Sequence, residues 1–234
     1  MNNEEVNLTN DAYSLHRILK TDIKKDPNVE EDEIIFGCGC FWGAEKCFWK
    51  LPGVVTTSVG YAGGKKNNPT YYEVCSGLTG HSEVVRVIWD KREIDVSDLL
   101  KMFWECHDPT QKNRQGNDMG TQYRSAIYYK NENNIKTILA SKEQYQTELS
   151  KKNLGLIETE IKMIDSYFYA EQYHQQYLAS AGSRQYCSAS PTKVKLGVFT
   201  GSNYKLEDHI WENFNWEVDK CVLRSDNNPI KNNI

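Results

Sequence analysis

IIFGCGCFWGAEKCFWKLP, residues 34–52, reads as strand, turn and helix in succession. Ile34, Ile35 and Phe36 are suited to a buried strand and run into Gly37, Cys38, Gly39 and Cys40; apolar residues then recur with helical spacing at Phe41, Ala44, Phe48 and Leu51. Leu51-Pro52-Gly53 ends the helix, because the residue before proline is pushed out of the α region and glycine accepts the left-handed turn that follows. Cys40 therefore falls at the helix start. Unpaired N–H groups and the positive end of the helix dipole favour an anion there, which predicts a thiol titrating below its usual value of about 8.5 and partly ionised at neutral pH. A buried structural cysteine is the other reading of the same residue.

Working outward, Val54–Val59 is rich in β-branched residues and predicts a second strand, followed by the loop GYAGGKKNNPTYY. Ser82–Trp89 alternates, with Glu83, Val85, Val87 and Trp89 on one face and Val84, Arg86 and Ile88 on the other. Asp95–Cys106 reads as a capped helix with Leu99, Leu100, Phe103 and Trp104 buried, and Thr110–Gln122 as a long loop of the kind that often carries function. Strands are expected at Tyr123–Tyr129 and at Glu158–Met163, where Thr159, Ile161 and Met163 face the core. Helices are expected from near Asn131 and over 170–180. The order resembles the split βαβ layout of ferredoxin-like α/β sheets with additional helices. Residues 1–32 form a polar, acidic extension, in which Tyr13, Leu15, Ile18 and Leu19 suit a short docked helix. One domain is expected over 33–190. Residues 191–234 form an irregular C-terminal extension whose Phe199, Tyr204, Trp211, Phe214 and Trp216 pack back onto the domain.

The 234 residues are 39% hydrophobic and carry 28 basic against 32 acidic groups, so no basic excess draws the chain to nucleic acid or anionic lipid. No run approaches the roughly 18 to 20 apolar residues of a membrane helix, and no signal or transit pattern opens the chain, so a cytoplasmic location is the expectation. Seven cysteines is an odd number without scaffold spacing, which speaks for reactivity more than stapling.

Glu83 is the second informative residue. Apolar neighbours on its face disfavour the charged form and raise the pKa, leaving a carboxylic acid able to donate a proton at neutral pH; a side chain that sits at the strand's first residue and reaches solvent is the alternative. Tyr61, Tyr71 and Tyr72 in one loop, and Asn117, Asp118, Thr121, Gln122 and Tyr123 in or beside the other, offer donors to a polar substrate oxygen, although most tyrosines only pack. Cys38-x-Cys40, Cys106-His107 and the Cys75/His81 pair lack zinc-ligand spacing, so no metal is expected. Cys47, Cys75 and Cys106 read as core residues, whereas Cys187 lies in a serine- and glycine-rich run, AGSRQYCSAS, from which a mobile thiol can swing onto another sulfur.

Several segments, taken together, resemble the A-type peptide methionine sulfoxide reductases: Gly39-Cys40-Phe41-Trp42-Gly43, Gly60-Tyr61 with Gly63-Gly64, Asn68-Pro69-Thr70-Tyr71, Gly80-His81-Ser82-Glu83, His107-Asp108-Pro109, Arg114–Ser125 and Tyr173–Leu178. The resemblance implies a two-layer α/β sandwich and reduction of methionine S-sulfoxide, free or in proteins, with thioredoxin as reductant and no cofactor. By the same resemblance Cys40 is the nucleophile, Glu83 the acid, Tyr71 and Tyr123 the donors to the sulfoxide oxygen, Asp118 a supporting group, and Phe41 with Trp42 the S-methyl pocket. Recycling is expected through Cys187, with Cys221 a possible second relay. Cys38 stands where the family has glycine. The rival readings are a cysteine hydrolase or acyltransferase with His81 or His174 as base, and a thiol switch of Cys38 and Cys40.

Overall fold

In the computed structural model the apolar run becomes β1 (Glu31–Cys38), which lies inside the sheet and leads directly into α1 (Phe41–Trp49). β2 (Val54–Ala62), α2 (Tyr71–Cys75), β3 (Ser82–Asp90) and α3 (Val96–Cys106) follow. Next come a small hairpin of β4 (Arg114–Gln115) and β5 (Asp118–Met119), then β6 (Ser125–Tyr129), α4 (Ile135–Lys151), β7 (Glu160–Met163) and β8 (Tyr167–Tyr169). Short helices α5 (Asp208–Trp211) and α6 (Cys221–Arg224) lie near the C-terminus. The structure describes residues 14–218 and 221–232, with only the main chain of Cys221.

The architecture is mixed α/β. Six strands pair in the order β7-β6-β1-β3-β2-β8, antiparallel except for β6 with β7. Alternation along the strands divides the apolar residues between two faces. Ile34 and Phe36 of β1, Val85, Val87 and Trp89 of β3, and Ile127 of β6 join the large core with α1, α3 and α4; Ile35, Val84, Ala126 and Tyr128 form a smaller one. Phe36 ties the layers together, stacking on Phe48 at 4.8 Å and on Phe103 at 5.1 Å. Phe199, Phe214 and Trp216 lie in the large core, with Tyr204 and Trp211 packed against it.

Some local expectations change. Residues 15, 18 and 19 form turns joined by a Leu15–Asp22 bridge instead of a helix, pinned by a 2.8 Å hydrogen bond between buried His16 and Thr57; Tyr13 lies outside the described residues. No α-helix forms over 170–180. Two 3-10 turns, Gln172–His174 and Tyr177–Ala179, flank Gln176 in the left-handed region at φ 46°. The Glu45 carboxylate holds that bend by accepting from the Gln176 main-chain N–H at 2.9 Å and from its side chain at 2.7 Å. Met163 is exposed because β7 is a sheet edge. The loop tyrosines separate: Tyr61 belongs to β2, Tyr71 and Tyr72 open α2 behind a Thr70–Glu73 capping box, and Tyr123 closes a 3-10 turn before β6.

Candidate active site

Gly39 makes the turn into α1 at φ 87°, where a side chain would be strained and its Cβ would stand 2.5 Å from that of Gln115. Cys40 is then the N-cap of α1. The main-chain N–H of Phe41 donates to Glu83 Oε2 at 3.1 Å, and that of Trp42 lies near enough to the Cys40 thiol to favour its ionised form without a capping hydrogen bond. β3 supplies Glu83 from its second residue, opposite Tyr61, and the side chain is 2% exposed. Burial pushes the Glu83 carboxyl up to about 8; the Phe41 N–H opposes this and the Asp118 charge adds to it.

Cys40 departs from the sequence expectation. Burial first, and then the neighbouring Glu83 charge, push the thiol well above its ordinary value. One N–H from Trp42 favours the thiolate but does not offset the loss of water.

A cavity of about 100 Å³ collects Cys40, Phe41, Trp42, Tyr71, Glu83, Asp118, Tyr123 and Tyr186. Asp118 accepts from the Tyr186 hydroxyl at 2.5 Å. Burial, and then Glu83, raise both Tyr71 and Tyr123, so these phenols remain donors. Trp42 is fixed on two sides: its indole N–H donates to His174 Nδ1 at 3.1 Å, and its ring stacks on Tyr177 at 3.8 Å.

The model of the family described as peptide methionine sulfoxide reductase matches residues 32–204. The chain belongs to that family. It is 53% identical to a peptide methionine sulfoxide reductase MsrA of Vibrio vulnificus over 77% of this chain and 86% of the relative, and 57% identical to one of Azotobacter vinelandii over 70% and 76%. Among solved structures it is similar to methionine sulfoxide reductase A of Corynebacterium diphtheriae (TM-score 0.66, 42% identity, 78% of this chain and 88% of that one). Reduced Mxr1 of Saccharomyces cerevisiae is also similar (TM-score 0.64, 34% identity, 70% and 92%). Like other members of the family, the chain is an enzyme that reduces methionine sulfoxide.

Within this reductase the thiols separate sharply. Cys187 is not on a loose tail: it is 4% exposed, and a Cβ added to Gly43 would stand 2.5 Å from its sulfur. It packs one turn along α1 from Cys40, near enough for its charge to act on the Cys40 thiol. Its segment lacks helix or strand yet is held by core packing. Cys221 has only its main chain described, in α6; its neighbour Val222 lines the same small cavity as Cys47, Cys106 and Cys187. Cys38 points into the core and hydrogen-bonds Cys106, which in turn bonds Cys47. Cys38, Cys106 and His107 have ligand atoms within 4.8 Å of one another. His107 nevertheless uses both ring nitrogens, on Phe103 O at 2.7 Å and Ser125 Oγ at 2.7 Å, so no ring lone pair faces an ion while those bonds hold. Cys75 is not a core residue as expected, but a half-exposed thiol bonded to the Tyr71 hydroxyl.

Neither proposed base suits Cys40. His81 spends its ring on Gly64 N and Lys66 O, and burial lowers His174 to about 4 with Nδ1 already accepting from Trp42. Three contributors escaped the sequence reading: Tyr186 in the cavity, Tyr177 behind Trp42, and Glu171, which accepts from Tyr71 N at 2.8 Å and from the Tyr61 hydroxyl at 2.7 Å. Tyr186 had one usable signal, its place beside Cys187.

Proposed function

We propose that the cavity binds the methionine sulfoxide side chain with its S-methyl group against Phe41 and Trp42 and its oxygen toward Glu83, Tyr71 and Tyr123. The Cys40 sulfur bonds to the sulfoxide sulfur as the oxygen takes the Glu83 proton, and the thiol proton passes to the Glu83 carboxylate. Donation from the two phenols stabilises the oxygen as the old bond weakens. The hydroxyl then passes from the methionine sulfur to the Cys40 sulfur as the S–O bond and the transient S–S bond break, releasing methionine and leaving Cys40 as a sulfenic acid. Condensation with the Cys187 thiol releases water and forms a disulfide, which a thioredoxin-type dithiol reduces by exchange, directly or through Cys221. No step calls on a metal or an organic cofactor. Asp118 acts through Tyr186, which it orients.

The observation that carries this reading is a carboxyl pushed up to about 8 in one small cavity with a helix-start cysteine, so that acid and nucleophile meet with the acid's proton in place at neutral pH. The S epimer is the proposed substrate. The central order β6-β1-β3-β2, antiparallel throughout, supports a ferredoxin-like split βαβ reading of the catalytic domain over 33–190, flanked by extensions at 1–32 and 191–234. No helix among the described residues is long and apolar enough to cross a membrane; we place the enzyme in the cytoplasm, with neither membrane nor nucleic acid as partner. Dithiothreitol-driven assays on resolved S and R sulfoxides test the reading. Turnover of the S form alone, abolished in Cys40→Ser, is expected; turnover of both forms, or a Cys40→Ser enzyme within tenfold of wild type, would falsify it.

A further inference from the structure

Two of the thiols gathered behind α1, Cys47 and Cys106, take no part in the reduction cycle described above. On α1 the positions of Cys40, Gly43 and Cys47 are spaced by three and then four residues, so they share one face of the helix. The Cys187 sulfur lies over Gly43, the middle of the three. Cys106, the last residue of α3, completes the group: Cys47, Cys106 and Cys187 line one cavity of about 10 Å³, together with Trp216, Val218 and Val222. Cys187 is near enough to act on the Cys106 thiol through its charge, and the Cys106 sulfur is the leading influence on Cys47. Cys38 stands further out, its sulfur within 4.8 Å of that of Cys106. Cys47 is 4% exposed and Cys106 2%, so a dithiol in solvent does not reach either one directly.

We propose that Cys47 and Cys106 form an internal electron store: the Cys40–Cys187 disulfide passes inward to become a Cys47–Cys106 disulfide, freeing Cys40 and Cys187 to reduce a second sulfoxide before any reductant arrives. The proposal rests on the reading of Cys40–Cys187 as the first disulfide. In the first exchange the Cys106 sulfur attacks Cys187; the Cys187–Cys106 bond forms, the Cys40–Cys187 bond breaks, and the Cys106 proton ends on Cys40. In the second the Cys47 sulfur attacks Cys106; the Cys47–Cys106 bond forms, the Cys187–Cys106 bond breaks, and the Cys47 proton ends on Cys187. Two thiols are oxidised as one disulfide is reduced, so the electrons balance with no oxidant beyond the sulfoxide already consumed. A disulfide bond of about 2.05 Å is far shorter than a contact between two thiols, so closing one requires side chains to turn. Close-packed interiors resist that motion, and the void at the meeting point of the three sulfurs allows it. No net charge is left in the apolar cavity at either stage, and burial shields the stored disulfide from outside dithiols, so it empties back through Cys187.

The test uses the Cys221→Ser chain, which lacks the other candidate relay, fully reduced, desalted and mixed with excess methionine S-sulfoxide and no reductant. Methionine released per enzyme is counted over time. About two are expected, the second slower than the first by about tenfold or more, because neighbouring sulfurs and burial hold the Cys47 and Cys106 thiols well above their ordinary value. Adding Cys47→Ala or Cys106→Ala should stop the count at one. Peptide mapping of the Cys221→Ser chain needs no core substitution: a Cys40–Cys187 link is expected after the first methionine, and a Cys47–Cys106 link beside it after the second. A Cys221→Ser chain that stops at one methionine overturns the store, as does a Cys47→Ala or Cys106→Ala form that still reaches two, or a Cys38–Cys106 link in place of Cys47–Cys106. Absence of the Cys40–Cys187 link after the first methionine overturns the recycling reading itself, and the store with it.

Discussion

Glu83 makes ionisation of Cys40 harder, and Asp118 does the same for Glu83. Burial leads in both cases, so the free enzyme at neutral pH holds both protons, and attack with proton transfer proceeds without creating a net charge in the cavity. Two results should follow. Glu83→Gln removes the acid and should slow methionine release by roughly 10²- to 10⁴-fold in a single turnover; wild-type kcat/KM should decline as pH rises through about 8, where the carboxyl loses its proton. The same substitution removes the negative neighbour of Cys40, so iodoacetamide labelling of that thiol should move to lower pH than in wild type. An unchanged labelling profile would mean that burial alone holds the thiol up. Glu83 was legible because a period of two names a face; the raised thiol was not, since helix-start position says nothing of the water excluded by Trp42 and Tyr186.

At the scale of elements, α1 links two thiols. Its N-cap is Cys40, and one turn on, Gly43 leaves the space that the Cys187 sulfur fills. Gly43→Ala should therefore displace Cys187 while sparing the nucleophile. The expected outcome is close to one methionine per enzyme without reductant, as for Cys187→Ser, with thioredoxin-driven turnover reduced about tenfold or more, the scale of a lost proximity effect. Peptide mapping after one turnover reports the cause: wild type should give a Cys40–Cys187 link, and equal yield of that link in Gly43→Ala would remove Gly43 from the argument. Sequence periodicity fixed β1, α1, β3 and α3 because their patterns are local. β8 escaped it, being a three-residue edge strand made by pairing Tyr167–Tyr169 with β2. The 170–180 bend escaped for a similar reason, since Glu45, far away in sequence, decides the Gln176 conformation. The packing of Cys187 likewise depends on contacts that no window around AGSRQYCSAS contains.

For the molecule as a whole, five buried groups set a pH dependence of stability. Burial is the leading cause that lowers His16 to about 3, and His107 and His174 to about 4, from 6.5; the same cause raises Glu45 to about 7 and Glu83 to about 8 from 4.5. The histidines are depressed, so below 6.5 the unfolded chain binds protons that the fold refuses, and stability falls with falling pH. Both carboxyls are raised, so their contribution is complete below 4.5 and is lost as pH climbs through about 7 and 8. Between 4.5 and 6.5 three histidines outweigh two carboxyls by one proton, a gentle rise of about 1.4 kcal/mol per pH unit at most. Above 6.5 only the carboxyls act and the slope reverses. Urea unfolding midpoints should therefore peak near pH 6.5, with Glu45→Gln flattening the alkaline decline because one of its two protons is gone. A midpoint still climbing from pH 6.5 to 8 would show that Glu45 and Glu83 enter the fold as carboxylates, and the acid proposed for the active site would have no proton to give.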